Sequence, residues 1–300
     1  MSLEYCTPDD IPEILRPFDK NTPQMDVGKT GKVGYLTVDM KFDTSKKKTI
    51  ITKQKSQVPL YLQKALHYDS DYPSMAHLFV LSPSGGILQG DRYRLDVRLE
   101  NNAISHVTTQ GATRIYKMDS NFATHMINLN VRNNSYLEFI PEQLIPYSNS
   151  RYYQKACLNV DASSTLLYSE TVVPGRVAMG EFFDYEICYL KSIGIEDKNI
   201  KFCDSCLMNP KEQKVESLSM FGNHTILSTV YIITKNKIND VKDLINKLLK
   251  ENDEVNGGAS LLPNDCGIGI RILGDSTEIQ KTTVYNISKI VRQNILPAYL

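Results

Sequence analysis

The sequence contains no tryptophan and no excess of charge of either sign. Its 300 residues include 34 Lys and Arg against 34 Asp and Glu, so the formal net charge is zero. A protein whose main partner is nucleic acid normally carries surplus positive charge that displaces counterions from the phosphates. The charge balance therefore argues against a nucleic-acid partner, and the missing tryptophan argues against stacking on sugar rings.

Long apolar runs are also missing. The first fifteen residues have neither a basic segment nor an apolar core, so they do not resemble a secretory signal. The longest apolar stretches, 77–81 and 230–233, have the length of a strand and are far too short to span a membrane. We therefore expect a cytoplasmic protein that has no contact with a membrane.

Cysteine is sparse, and the usual catalytic motifs are absent. Six cysteines in 300 residues are too few for a disulfide scaffold. Cys203 and Cys206 form half of a zinc signature without a second pair nearby, and a structural zinc needs four ligands. The glycine-rich stretch 82–91 lacks the Lys-Ser/Thr ending of a phosphate loop, and no GxSxG is present. We expect a protein that is not an enzyme and has no tightly bound cofactor.

What the sequence does contain is period-two alternation from residue 31 to about 202. The clearest case is 93–100, where Tyr, Leu, Val and Leu alternate with charged residues, as in a half-buried strand. Before it, four prolines interrupt any pattern in residues 1–30. The expected organisation is a flexible N-terminal extension over 1–30 followed by a single β-rich domain over 31–300.

Three segments within the alternating region resemble one another. Each has an apolar residue, a charged residue and a short Asn or Ser turn: 99–103, 131–135 and 160–164. The apolar markers are 131 − 99 = 32 and 160 − 131 = 29 residues apart. Such spacing predicts stacked β units of a β-helix-like or layered β-sheet domain. Three unrelated hairpins in a sandwich are the alternative interpretation.

Two α-helices are predicted near the C-terminus. Over 239–252 the apolar residues follow the i, i+3, i+4 spacing of a helix with one buried stripe. A second helix is predicted from Asp275, which with Glu278 resembles an N-terminal capping box, to Pro297.

Several acidic residues stand in settings that could give them a role. Asp91 ends the glycine-rich stretch, Glu170 has apolar neighbours on both sides, and a strand buried on both faces needs a reason to hold a charge. Glu142 and Asp204 are further candidates. Solvated strand faces are the ordinary explanation for such residues. Paired carboxylates could also perform acid–base chemistry or pass a hydrated divalent cation.

Five motifs in order resemble the UreD family of urease accessory proteins, called UreH in some systems. They are SPSGGILQGD at 82–91, TTQGATRIY at 108–116, PEQLIPY at 141–147, Glu170 followed by Gly175-Arg176 and Gly180-Glu181, and RILGD at 271–275. The sequence departs from the family pattern at Gln89, at Gln143 and at 64–68, where KALHY stands in place of RPFYP.

The resemblance implies a non-catalytic nickel-delivery scaffold that binds UreF, recruits UreG through UreF, and docks on the urease apoprotein. It further implies a transient Ni²⁺ path touched by Asp91, Glu142, Glu170 and Asp204. Isolated carboxylates suit an ion that must leave again, whereas a trap for Ni²⁺ would use clustered His and Cys. A β-helical carbohydrate-active hydrolase using paired Asp and Glu is the alternative function.

Overall fold

The computed structural model describes residues 2–21 and 29–299 of the chain. The strands of the described part are, in chain order, β1 (Val33–Asp43), β2 (Lys48–Gln57), β3 (Tyr61–Leu62), β4 (Ala76–Leu81), β5 (Arg92–Glu100), β6 (Ile104–Thr109), β7 (Thr113–Ile115), β8 (Ala123–Val131), β9 (Tyr136–Phe139), β10 (Leu144–Pro146), β11 (Arg151–Val160), β12 (Thr165–Val172), β13 (Ile187–Glu196), β14 (Asn199–Met208), β15 (Ile226–Ile233), β16 (Val255–Leu261) and β17 (Gly267–Gly274). The α-helices of that part are α1 (Ile238–Lys250) and α2 (Thr277–Asn294).

The strands form two sheets that face each other. A seven-stranded sheet has the order β14-β13-β11-β8-β5-β1-β2, and a ten-stranded sheet has the order β16-β17-β15-β12-β9-β6-β4-β3, with β10 and β7 attached through β12. From β4 to β13 the chain alternates between the sheets, so that β5, β8, β11 and β13 stack in parallel in one sheet, and β4, β6, β9 and β12 in the other. The prediction of a mainly β, β-helix-like domain is confirmed.

The Asn and Ser turns join successive coils of this solenoid. Asn102 N donates to Asn133 O at 3.0 Å, and Asn134 N donates to Ser163 Oγ at 2.9 Å. Asn102, Asn133 and Asn134 adopt positive φ, which asparagine tolerates better than most residues. The similar turns are therefore equivalent corners of stacked coils, not unrelated hairpins.

The two helices cover the outer face of the ten-stranded sheet. Helix α1 buries Val241, Ile245 and Leu249, and α2 buries Val284, Ile287 and Val291. Both predicted helices are present. The N-cap of α2 is Ser276, whose hydroxyl accepts from Ile279 N, rather than the predicted Asp275. Among the described residues, no helix combines the length and the apolar character needed to cross a bilayer.

Residues 2–21 lie along the outer face of the seven-stranded sheet. The sequence predicts that this segment is part of a flexible extension. Leu15 is fully buried in a small cluster with Phe122 and Tyr153. Asp10 accepts from Lys191 Nζ at 2.7 Å and forms an ion pair with Lys155 Nζ at 2.8 Å. These contacts hold the segment in place, and its regular structure is limited to two 3-10 helices, Glu4–Cys6 and Glu13–Phe18. Residues 22–28 of the predicted extension lie outside the described residues.

Candidate functional site: a cavity between the sheets

Three loops, one from each of three consecutive coils, leave the ten-stranded sheet at the same level. The loops follow β4, β6 and β9, and they span residues 82–86, 110–112 and 140–143. Their backbones remain connected: Gln110 N donates to Val80 O at 3.0 Å, and Thr113 N donates to Gln143 O at 2.9 Å. Glu142 N donates to Thr109 Oγ1 at 2.9 Å. The three loops form one continuous structure, here called the rim.

Close packing at the rim explains part of the glycine-rich stretch. A Cβ at Gly86 would lie 2.5 Å from Cε2 of Tyr116 and 2.7 Å from the carbonyl oxygen of Arg114. Such distances are far below van der Waals contact, so only glycine fits there. The stretch serves to bring the first loop against the second, not to cradle a phosphate.

Behind the rim lies a cavity of about 450 Å³ between the two sheets. Exposed rim residues such as Ser82, Gln110 and Gly111 line its entrance. Its deeper wall is mostly apolar and includes Leu60, Val80, Tyr93, Leu95, Ile127, Phe139 and Leu144. Three polar side chains interrupt this wall: His125, Gln154 and Glu170.

Glu170 enters the cavity from β12. Its Oε2 accepts from Tyr168 Oη at 2.8 Å and from Gln154 Nε2 at 3.0 Å, while no described residue donates to Oε1. Burial raises the pKa of Glu170 to about 7, although the hydrogen bond from Tyr168 opposes the shift. Both donors are neutral, so the carboxylate has no cation in direct contact to offset the loss of water.

His125 and Gln154 are neighbours across the seven-stranded sheet. They are paired in register on the parallel strands β8 and β11. His125 Nε2 is buried without a hydrogen-bond partner among the described residues. Burial lowers the pKa of His125 to about 4, so its ring is neutral near pH 7. An unpartnered nitrogen is unusual in an apolar wall, where buried polar atoms are normally satisfied.

Glu142 belongs to the rim. It lines the cavity and forms an ion pair with Lys281 of α2, whose side chain is largely exposed. The structure therefore brings two of the four predicted acids, Glu142 and Glu170, to one cavity.

Asp91 lies elsewhere, in a closed set of polar contacts. Its side chain is completely buried and forms an ion pair with Lys32 Nζ at 2.8 Å. It also accepts from Leu88 N at 2.9 Å and from Lys32 N at 2.8 Å. It is not among the residues that line the cavity. These contacts fix the end of the glycine-rich stretch against the start of β1, which is a structural task.

Asp204 also lies apart from the cavity. It joins the edge strand β14 to the other sheet through Arg271 and the Tyr231 hydroxyl. Nearby, Cys203 is exposed whereas Cys206 packs against the core, because residues three apart in a strand point to opposite faces. The two thiols consequently cannot share one ion without a change of the strand.

His125 and Gln154 are not among the residues predicted from the sequence, although the sequence contains a signal for them. Both occupy inward positions of alternating strands. The apolar neighbours two residues away are Ala123 and Ile127 for His125, and Tyr152 and Ala156 for Gln154. Among the described residues, no group of three or more His, Cys, Asp or Glu side chains could hold a metal ion. A polar side chain at an apolar position was thus the better signal than ligand spacing.

Comparison with known proteins agrees with the motifs that surround the cavity. A family model described as UreD urease accessory protein matches residues 33–299. The chain belongs to the UreD family. The urease accessory protein UreD of Cenarchaeum symbiosum is 40% identical over 257 residues, which cover 85% of this chain and 90% of the relative.

Bacterial UreD proteins match over a longer span. Urease accessory protein UreD of Photorhabdus laumondii is 32% identical over 292 residues, covering 95% of this chain and 89% of the relative. Urease accessory protein UreD 2 of Brucella canis is 31% identical over 290 residues, covering 95% of both chains. The first three UreD-like motifs, at 82–91, 108–116 and 141–147, supply the rim loops.

Proposed function

We propose that this chain is a nickel-delivery scaffold for urease, which assembles with UreF, and through UreF with UreG, on the urease apoprotein. The names of its relatives support a role in urease maturation. The observation that carries the proposal is that three UreD-like motifs converge on the rim of one cavity, and that the cavity holds a carboxyl group without a cationic contact partner.

The arrangement suits an ion that enters and leaves. Glu142 at the rim and Glu170 at the inner end offer carboxylate oxygens, and the remaining wall offers few competing ligands. Conduction requires binding that is favourable enough for entry and weak enough for release. In this proposal Ni²⁺ is cargo carried as a partly hydrated ion, and Asp91 and Asp204 act on the path only through the structure they hold.

The hydrolase alternative receives less support. A glycoside hydrolase needs two carboxyl groups that face one scissile bond, and an open cleft with aromatic platforms would be expected to hold the sugar. Here Tyr93 and Phe139 are buried in the cavity wall, and Glu142 is engaged by Lys281. No observation favours a bound sugar.

The test is co-expression of urease and its accessory proteins with either the parent chain or Glu170→Gln. The amide can still accept the two hydrogen bonds that reach Oε2, so folding and co-purification should persist. Urease purified from the variant strain should contain less nickel and show lower activity. Glu212→Gln, which changes an exposed glutamate that does not line the cavity, is the matched control.

Two results would contradict the proposal. One is a parent chain that fails to co-purify with urease subunits or with UreF. The other is urease that loads nickel normally beside the Glu170→Gln chain, in which case the cavity carboxylate does not guide the ion.

A further inference from the structure

The loop between β12 and β13 exposes three apolar side chains within six residues. Val177, Met179 and Phe182 keep 57%, 71% and 45% of their surface exposed. Single exposed apolar residues are common on folded proteins, whereas a cluster of them is typical of an interaction surface. None of the three lines the cavity. These three side chains are here called the apolar tip.

A pair of opposite charges closes the base of this loop. Arg176 Nε donates to Glu181 Oε2 at 2.8 Å, and Arg176 Nη2 donates to Glu181 Oε1. The backbone is closed as well, since Glu181 N donates to Arg176 O at 3.2 Å. Ser148 N, which belongs to the preceding coil, donates to Glu181 Oε2 at 3.2 Å. Gly180 has a φ of 78°, which glycine adopts without strain. These contacts hold the apolar tip in one shape.

Aromatic packing places the base of the loop beside the rim. The guanidinium of Arg176 lies 4.1 Å from the ring centroid of Tyr147, which lies 4.9 Å from the ring centroid of Tyr116. Tyr116 in turn packs closely against Gly86 of the rim. The loop follows β12 just as the three rim loops follow β4, β6 and β9, so it is the fourth loop of the same series. A protein bound to the apolar tip would therefore lie beside the rim.

The charges of the loop restrict the kind of partner that fits it. Arg176 and Glu181 neutralise each other, and no residue from 177 to 180 is charged. A protruding anchor without free charge matches an uncharged apolar groove, in which it is sheltered from water. Its fixed shape also reduces the entropy that is lost on binding. The complementary surface is therefore an apolar groove on a folded protein, not an acidic peptide or a nucleic acid.

We propose that the apolar tip is the anchor by which this chain docks into an apolar groove of UreF. The identity of the partner rests on the proposed function, in which the ion ends on urease. The ion therefore reaches the rim from the accessory side of the assembly, where UreF is the direct partner of this chain. A partner beside the rim is in position to pass the ion to Glu142, which lines the cavity.

Binding of purified UreF to the purified full-length chain, measured by biolayer interferometry, tests the proposal. Met179→Asp should weaken binding about tenfold or more, because a carboxylate loses its water in an apolar groove. Met179→Leu keeps the apolar surface and should bind like the parent. Ile200→Asp is the matched control, since Ile200 is 64% exposed in β14 and the length of β13 separates it from the loop. Circular dichroism checks that each variant is folded.

Two further measurements test the nature of the contact. The affinity of the parent chain should change little between about 0.1 and 0.5 M salt, because salt screens charges and not apolar contacts. Glu181→Ala leaves the apolar tip intact but removes the carboxylate that closes its base. It should weaken binding less than Met179→Asp and more than Ile200→Asp, as expected when only the fixed shape of an anchor is lost.

Several outcomes would overturn the inference. UreF that binds the Met179→Asp chain as tightly as the parent would show that the tip is not the anchor. Loss of binding to the urease apoprotein instead of UreF would assign the tip to a different partner. Met179-dependent self-association of the parent chain, or its retention by phosphatidylcholine vesicles, would assign the tip to a second copy or to a lipid surface. In all these cases the proposed function stands as long as UreF still binds, whereas a parent chain that binds no UreF contradicts both.

Discussion

Glu138 and Glu170 are both buried in the ten-stranded sheet, but they face opposite sides of it. Glu138 lies beneath α2, where Arg292 donates to it through Nε at 2.7 Å and Nη2 at 2.6 Å. Tyr136 Oη and His106 Nδ1 complete its contacts at 2.7 and 2.8 Å. Glu170 faces the cavity and has two neutral donors.

The pKa values of the two carboxyl groups move in opposite directions. Burial raises the pKa of both, but the hydrogen bonds from Arg292 and His106 outweigh it at Glu138 and lower its pKa to about 2. Without such partners, burial raises the pKa of Glu170 to about 7. Although both carboxyl groups are buried, Glu138 thus carries a permanent charge whereas Glu170 holds an exchangeable proton. A carboxylate with its partners complete stabilises the fold, whereas one with partners missing is available to a ligand.

The largest expected effect is that of Glu138→Ala. The change removes the carboxylate that binds Arg292 through two nitrogens and leaves this buried guanidinium only its ion pair with Asp69. The free energy of unfolding should therefore fall by about 3–5 kcal/mol. Urea denaturation followed by circular dichroism measures it, with Glu170→Gln expected to lose no more than about 1 kcal/mol. An equal loss of unfolding free energy in the two variants would contradict the different roles of Glu138 and Glu170.

Asp91→Ala should have the next largest effect and lower the free energy of unfolding by about 3 kcal/mol. The change leaves the buried ammonium group of Lys32 without its carboxylate partner. If Asp91 only lined a water-filled passage, its truncation would lower the free energy of unfolding far less. The same denaturation experiment decides between these roles. A urea denaturation midpoint close to that of the parent would indicate that Asp91 lines the Ni²⁺ path and does not stabilise the fold.

The pH dependence of stability should carry the signature of Glu170. Its folded-state pKa of about 7 lies above the ordinary glutamate value of 4.5 because the group is buried, so the folded chain retains a proton that the unfolded chain releases. This contribution is complete below pH 4.5 and is lost as the pH rises to 7. It amounts to at most about 3.5 kcal/mol, at about 1.4 kcal/mol per pKa unit. The difference between the parent and Glu170→Gln, measured at pH 5 and pH 8, isolates it, and a flat difference would contradict the raised pKa.

Glu142→Gln should have the smallest effect on stability. Its partner Lys281 is 69% exposed, and exposed ion pairs contribute about 0–1 kcal/mol. The variant should nevertheless reduce nickel loading of co-expressed urease if the rim carboxylate receives the ion. Loss of stability above 2 kcal/mol would instead give Glu142 a structural role like that of Asp91.

The architecture was largely predictable because it depends on short-range patterns. Alternation in 93–100 and the Asn turns specify strands and corners, and stacking of equivalent corners follows from their spacing. The helices were predictable for the same reason. The capping residue of α2 was not, because Asp275 and Ser276 are both good caps, and the contact of Asp275 with His224 is formed only in the tertiary structure.

The site was only partly predictable, because the role of a buried acidic residue depends on the groups that contact its side chain. Asp91 and Glu170 are both buried, yet Lys32 forms an ion pair with Asp91 and no described cation contacts Glu170. Lys32 is 59 positions from Asp91, and no local pattern announces the pairing. The extension shows the same limit. Its prolines agree with the absence of α-helix and strand from residues 2–21, but its ionic partners lie in β11 and β13.

The N-terminal segment on the seven-stranded sheet has a consequence for synthesis on the ribosome. Asp10 binds Lys191, which is 181 residues later in the chain. At about 5–20 residues per second, roughly 10 to 40 seconds pass between translation of the segment and translation of its docking surface. This early part of the chain is therefore among the last to complete its native contacts. In a nascent chain stalled before β13, Asp10 would have Lys155 of β11 as a partner but would lack Lys191.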